Sequence, residues 1–232
     1  MGAGKSDTKK ALAVLAALKR LYPAPHHYLR FANPFQLLVA TILSAQCTDE
    51  KVNEVTAGLF ERYPNPADFA AGPLEALEQA VRPTGFYRNK AKAIKGASAA
   101  ILERFGGVVP DTMEELLTLP GIARKSANAI LQHGFGKVVG IVVDTHVIRV
   151  AERLGWTANT DPEKIERDLM ERFEKREWRW LPYYLKSHGR AVCRAPRPLC
   201  GECPVAPLCP SALIEPPKER KTSPRAKKSR AR

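Results

Sequence analysis

Near the end of the 232-residue chain, Cys193, Cys200, Cys203 and Cys209 follow the pattern C-x6-C-x2-C-x5-C, with Pro196, Pro198, Pro204 and Pro207 stiffening the segment. A rigid loop that brings four thiols together is expected to hold metal. Four-cysteine zinc sites usually use two close pairs, and only one C-x2-C is present, so the spacing is compatible with either zinc or a four-iron cluster. Disulfides fit least well. The opening Met1-Gly2-Ala3-Gly4-Lys5 lacks the apolar core of a secretory signal, so a reducing compartment is expected. The fifth cysteine, Cys47, lies in an apolar segment and reads as a small buried hydrophobe.

A second set of chemistry-bearing residues lies in Leu119-Pro120-Gly121-Ile122-Ala123-Arg124-Lys125-Ser126. The turn offers backbone N–H groups at a helix N-terminus, which binds phosphate without reading bases. The helix dipole and Arg124 both disfavour a protonated ammonium beside them, which favours Lys125 as a nucleophile; the simpler role for Lys125 is a phosphate contact. Asp144, in Val143-Asp144-Thr145-His146, stands where an apolar run gives way to a helix. Taken alone it reads as an N-cap. His146 receives no chemical role.

The formal charge is +13, of which residues 215–232 carry +6 (eight Lys/Arg against two Glu), leaving +7 for the remainder. A basic body and a basic tail point to a polyanion, nucleic acid above all, with solubility the simpler explanation. The tail is rich in Pro, Lys, Arg and Ser and is expected to be disordered. The longest apolar or small stretch, 37–45, is far too short to cross a bilayer, so no membrane association is expected.

These residues need elements to position them, and helical punctuation recurs along the chain. Asn33-Pro34-Phe35-Gln36 supplies an N-cap, a first-turn proline and a capping-box glutamine ahead of the run 37–43. That run is apolar on every side and belongs in the centre of a helical bundle. Further helices are expected from Thr48-Asp49 to Pro64, over 74–81 and over 88–105, the last stopped by Gly106-Gly107. Thr112-Met113-Glu114-Glu115 is a capping box, followed by a short turn and a helix over 123–132. Asp144, Asp161-Pro162 and Pro182 introduce three more. Only 138–143 reads as a strand, interrupted by Gly140 and without a partner, so the fold class is all-α.

The order helix-hairpin-helix with Lys125, then Val-Asp-Thr-His, then the cysteine loop resembles the endonuclease III family of DNA glycosylases. The resemblance spans about residues 6–210 and includes the segments 43–49 (LSAQCTD), 85–91 (GFYRNKA) and 188–190 (HGR). It implies two α-helical lobes with a DNA-binding cleft between them: a six-helix lobe over 27–137, and a second lobe joining 6–26 to 138–214. It implies a [4Fe-4S] cluster on Cys193, Cys200, Cys203 and Cys209, with Arg190, Arg194 and Arg197 near it for phosphates. Lys125 would attack C1′ of a damaged nucleotide and form a Schiff base, Asp144 would assist, and an AP lyase step would nick the abasic site. Gln46 and Phe86 match family positions that enter the duplex, Gln46 as a polar plug and Phe86 as an apolar wedge. The implied partner is double-stranded DNA carrying oxidised pyrimidines or abasic sites, bound by a monomer of bacterial cytoplasmic type.

Three departures stand out. Ala123 replaces the second hairpin glycine, raising the prospect of a strained positive φ and a weaker phosphate contact alongside Gly121 and Arg124. Ser126 stands where threonine is usual, and Phe86 where leucine is. The nearest rival, the adenine-mismatch branch, generally lacks the lysine and carries a further C-terminal domain. A silent DNA-binding protein would have no need of both Lys125 and Asp144.

Overall fold

A computed structural model describes residues 5–213; the basic tail expected over 215–232 lies outside them. The described residues are helical and contain no strand. Six of the helices begin with a side-chain cap written in the sequence, at Asn33, Thr48, Asn65, Thr112, Asp144 and Asp161. α2 (Pro34–Leu43) is capped by Asn33 Oδ1, which accepts from Gln36 N at 2.9 Å, while Gln36 Oε1 reaches back to accept from Ala32 N at 2.8 Å. Every residue of α2 from Leu37 to Leu43 is buried, as a helix apolar all round must be. Thr48 caps α3 (Asp49–Arg62). α4 (Pro66–Ala71) is absent from the sequence expectations although Asn65-Pro66 repeats the Asn-Pro device of α2, with Asn65 accepting from Asp68 N at 3.1 Å.

α5 (Leu74–Val81) leads through a 3-10 turn, Arg82–Thr84, into α6 (Tyr87–Phe105). α6 ends as expected at Gly106 and Gly107, both at positive φ, with Gly107 N donating to Ile101 O at 3.0 Å. The hairpin pairs α7 (Met113–Leu116) with α8 (Arg124–Gly134). Gly121 forms its turn at φ +79, where a Cβ would lie 2.8 Å from that of Ala93 on α6. α9 (Thr145–Arg153), α10 (Pro162–Arg172), the short α11 (Lys175–Trp178) and α12 (Leu181–Ala191) follow. The segment 138–143 has no regular secondary structure and bends at Gly140, so the strand expectation fails.

The buried apolar residues form two clusters. One draws on 29–131, the α2–α8 region; the other joins α1 (Lys5–Leu21) to residues from Ile141 to Val205. The span 27–137 thus carries seven α-helices rather than six, the addition being α4. No helix of the described residues is long and apolar enough to cross a membrane.

Candidate active site

Lys125 is exposed in the first turn of α8, and Asp144 stands at the head of α9. Two openings meet at this pair. An outer groove of about 680 Å³ runs past Gln46, Ala123, Arg124 and Arg190; an inner recess of about 100 Å³ lies behind it. Lys125 and Asp144 line both, so they stand at the neck between them.

Asp144 serves as the N-cap expected of it. Its Oδ1 accepts from His146 N and from Val147 N, each at 2.9 Å. Among the described residues no hydrogen bond goes to Oδ2, so anchoring and chemistry need not compete for the same oxygen. At its other end α9 meets the cysteine loop: Arg149 Nε donates to Cys193 O at 3.1 Å, and an Arg153 guanidinium N–H to Cys193 Sγ at 3.3 Å. His146, given no role from sequence, lies 3.1 Å from Arg149 through Nδ1.

Two sets of ion pairs bridge the α2–α8 region to the rest and flank the neck. Arg124 Nε donates to Glu166 Oε2 at 2.7 Å; Glu166 is 3% exposed, and its Oε1 accepts from Asn128 Nδ2 at 2.8 Å and Ile141 N at 3.2 Å. Gly140 makes this possible, because a Cβ there would lie 2.0 Å from Glu166 Oε1. Arg124 is therefore charge-compensated by Glu166. On the other flank Asp49 Oδ2 accepts from Lys186 Nζ at 2.6 Å and from Arg190 at 2.7 Å. Burial opposes ionisation of Asp49, but the hydrogen bonds and charges of Lys186 and Arg190 outweigh it and hold the carboxyl below the usual range. Two of the arginines expected at phosphates, Arg124 and Arg190, thus already have carboxylate partners. Arg194 is exposed, with Nε on Ala191 O at 3.0 Å.

The inner recess is walled by rings. His27 and His133 lie 4.4 Å apart between centroids, and His133 lies 5.7 Å from Trp180; Tyr28 stacks on Tyr183 at 5.9 Å. Burial pushes the His133 imidazole down to about 3, helped by the charges of His27 and Arg179, and burial lowers His27 as well. Three residues of this wall carry buried polar atoms without a partner among the described residues: Thr41 Oγ1, Gln132 Oε1 and Arg179 Nε. Gln132 Nε2 donates to Arg179 O, which fixes Oε1 as the unpaired atom. Sequence reasoning missed this recess, since its walls come from 26–28, α8 and the start of α12.

The hairpin departure resolves at Ala123, whose φ of −104 and ψ of 171 are ordinary extended values. No positive φ is required there, and the expected strain is absent. Positive φ falls instead on two non-glycine residues, Gln46 (φ 51) and Phe86 (φ 49), the only ones among the described residues. Each left-handed residue costs about 1–2 kcal/mol, and both side chains are exposed, Phe86 at 64%. These are the positions expected to enter a duplex, and strain held at exposed residues fits a functional demand.

All four clustered cysteines are free and line a single small cavity. No group of three or more His, Cys, Asp or Glu side chains among the described residues is gathered around one point as a single ion requires. Cys47 is half-buried against the first cluster, as a small hydrophobe would be.

Residues 39–175 match the model of the HhH-GPD superfamily of base excision DNA repair proteins. Endonuclease III of Synechocystis sp. is 54% identical over 89% of this chain and 94% of its own length, and that of Bacillus subtilis is 45% identical over 82% and 86%. Among solved structures, an endonuclease III in a non-covalent complex with DNA superposes with a TM-score of 0.85 at 41% identity, covering 88% of this chain and 96% of that one. A trapped covalent endonuclease III–DNA intermediate gives the same values. By sequence over 89% of its length and by the superposition of its fold, the chain belongs to the endonuclease III family of HhH-GPD base excision DNA repair proteins.

Proposed function

We propose that the chain is a bifunctional DNA glycosylase and AP lyase that removes oxidised pyrimidines from duplex DNA, working in the bacterial cytoplasm on the nucleoid. The observation that carries this reading is the placement of Lys125 and Asp144 at the neck between groove and recess. DNA lies along the groove, and the damaged nucleotide is turned out of the stack so that its sugar meets the neck and its base enters the recess. The recess suits a flat heterocycle, with ring walls for stacking and unpaired atoms on Thr41, Gln132 and Arg179 to meet its edge.

Lys125 Nζ, as the neutral amine, attacks C1′; the glycosidic bond breaks and the base leaves with a proton. Asp144, through the oxygen not used in capping, takes the proton released by the ammonium and passes it to the departing base, and it stabilises positive charge developing on the sugar. Ring opening gives the Schiff base. Loss of a C2′ proton then expels the 3′ phosphate, and water releases Lys125. Gln46 and Phe86 fill the gap left in the duplex.

The cysteine loop supports the finer reading of a [4Fe-4S] cluster. Four free thiols line one cavity, in the C-x6-C-x2-C-x5-C spacing for which the family resemblance implies such a cluster. Cys193, Cys200, Cys203 and Cys209 would hold it, and its contribution would be to brace the loop, with Arg194 and Arg197, against α9.

Borohydride reduction tests the mechanism, because only a Schiff base is captured covalently on DNA. The wild type is expected to form the adduct; Lys125→Gln is expected to lose it while still binding an abasic-site duplex, since one phosphate contact contributes little to the whole. Trapping by a folded Lys125→Gln would overturn the role of this lysine.

A further inference from the structure

Lys90 lies on the buried face of α6 among Ala91, Ile94, Ala97 and Ile101, and is itself only 5% exposed. An apolar side chain would fill this place without the cost of desolvating an amine. Its Nζ instead donates to Leu43 O at 2.8 Å and to Thr84 O at 2.7 Å. Leu43 is the last residue of α2, three before Gln46; Thr84 ends the 3-10 turn, two before Phe86. Among the described residues no backbone N–H donates to either carbonyl, so Lys90 is the group that satisfies both. Its own backbone N–H donates to Phe86 O at 3.2 Å. One residue therefore ties the root of each loop that carries a left-handed, exposed side chain.

We propose that Lys90 is a positioning residue for duplex insertion: by pinning Leu43 O and Thr84 O to one buried amine, it holds Gln46 and Phe86 in a fixed mutual register so that both enter the duplex together. This rests on reading Gln46 and Phe86 as the residues that fill the gap. A left-handed residue relaxes readily once its flanks are released, and two independently mobile loops would each have to be ordered at the moment of binding. With both roots held by the same nitrogen, that ordering is done in advance.

The test is a coupling cycle on the full-length protein, using a duplex with a tetrahydrofuran abasic analogue and 2-aminopurine opposite it. Lys90→Met keeps the length of the side chain and removes the donors. It is expected to weaken binding to this duplex by about ten-fold, to leave affinity for undamaged duplex within about two-fold, and to diminish the 2-aminopurine response that reports insertion. In a Gln46→Ala/Phe86→Ala background the same substitution is expected to cause no further loss. Lys90→Arg, which keeps the donors, is expected to restore much of the fluorescence response. If Lys90→Met does not fold, Lys90→Leu, which likewise carries no donor, is put through the same cycle. An equal loss in both backgrounds, or a wild-type fluorescence response from the donorless variant, overturns the role of Lys90. A Gln46→Ala/Phe86→Ala protein that binds the abasic duplex like the wild type overturns the premise instead, and the two failures are distinct.

Discussion

Arg124 Nε and Glu166 Oε2 meet at 2.7 Å, joining the helix that carries Lys125 to α10, 42 residues further along the chain. Glu166 also holds Asn128 and the backbone of Ile141, so one buried carboxylate fixes the first turn of α8 against the strand-like segment leading to Asp144. The relative placement of lysine and aspartate thus depends on a residue that touches neither.

Glu166→Gln keeps the shape but removes the charge. Breaking a fully buried pair costs about 3–5 kcal/mol; the 39% exposure of the Arg124 side chain reduces this to about 1–3 kcal/mol. Denaturant titration is expected to show that loss. Base release at saturating enzyme is expected to slow more than the affinity changes, because the geometry of the neck is disturbed. Unchanged stability and turnover would show that the pair is dispensable.

Ala123 is the N-cap of α8 and makes no side-chain cap bond. With φ at −104 there is no strain for glycine to relieve, so Ala123→Gly is expected to change affinity for abasic-site DNA by less than about two-fold. Ala123→Ser adds a hydroxyl that can accept from the first turn and is expected to raise stability by about 1 kcal/mol. Anisotropy and denaturant titration on both variants check this; a several-fold tightening by glycine would restore the idea that the methyl holds DNA back.

The recess sets a pH dependence through His133. Its folded pKa, about 3, lies below the unfolded value near 6.5, so the unfolded chain binds the extra proton between these limits. The contribution is full above about pH 6.5 and is lost as pH falls toward 3, on the order of a few kcal/mol. Asp49, also held below its unfolded value, adds a loss at the acid end as pH falls below about 4. His133→Gln is expected to flatten the stability profile between pH 6.5 and 4. A profile as steep as that of the wild type would place the titrating group elsewhere.

Local features of this chain were legible and distant ones were not. Asn33, Thr48, Thr112, Asp144 and Asp161 announce their helices because a cap depends on residues two or three positions away. The same device at Asn65-Pro66 was available and passed over. Glu166 reads as one more acid on a charged helix, and only the fold brings Arg124 and Asn128 to it. Lys90 is misleading for a related reason: periodicity treats lysine as a solvent-facing residue, whereas here it faces two carbonyls in the core. Gly140 interrupts an apparent strand in the sequence; in the fold it is the space that Glu166 Oε1 occupies. The four cysteines and Lys125 stood out because their chemistry is carried by residue type and spacing.

Asp144 has two roles to separate, the cap of α9 and the carboxylate at the neck. Asparagine caps about as well as aspartate, because its side-chain oxygen can accept the same N–H groups of His146 and Val147. Asp144→Asn is therefore expected to melt within a few degrees of the wild type, yet to slow base release by about 10²–10⁴-fold, the range for loss of a positioned acid–base group. Asp144→Ala loses the cap as well and is expected to cost about 1 kcal/mol more in stability. The pair isolates the chemistry: if Asp144→Asn turns over like the wild type while Asp144→Ala fails in both assays, the aspartate acts only by starting α9. Loss of turnover in Asp144→Asn with its melting curve intact assigns the function to the ionised carboxylate, since cap geometry is the property the two side chains share and charge is the one they do not.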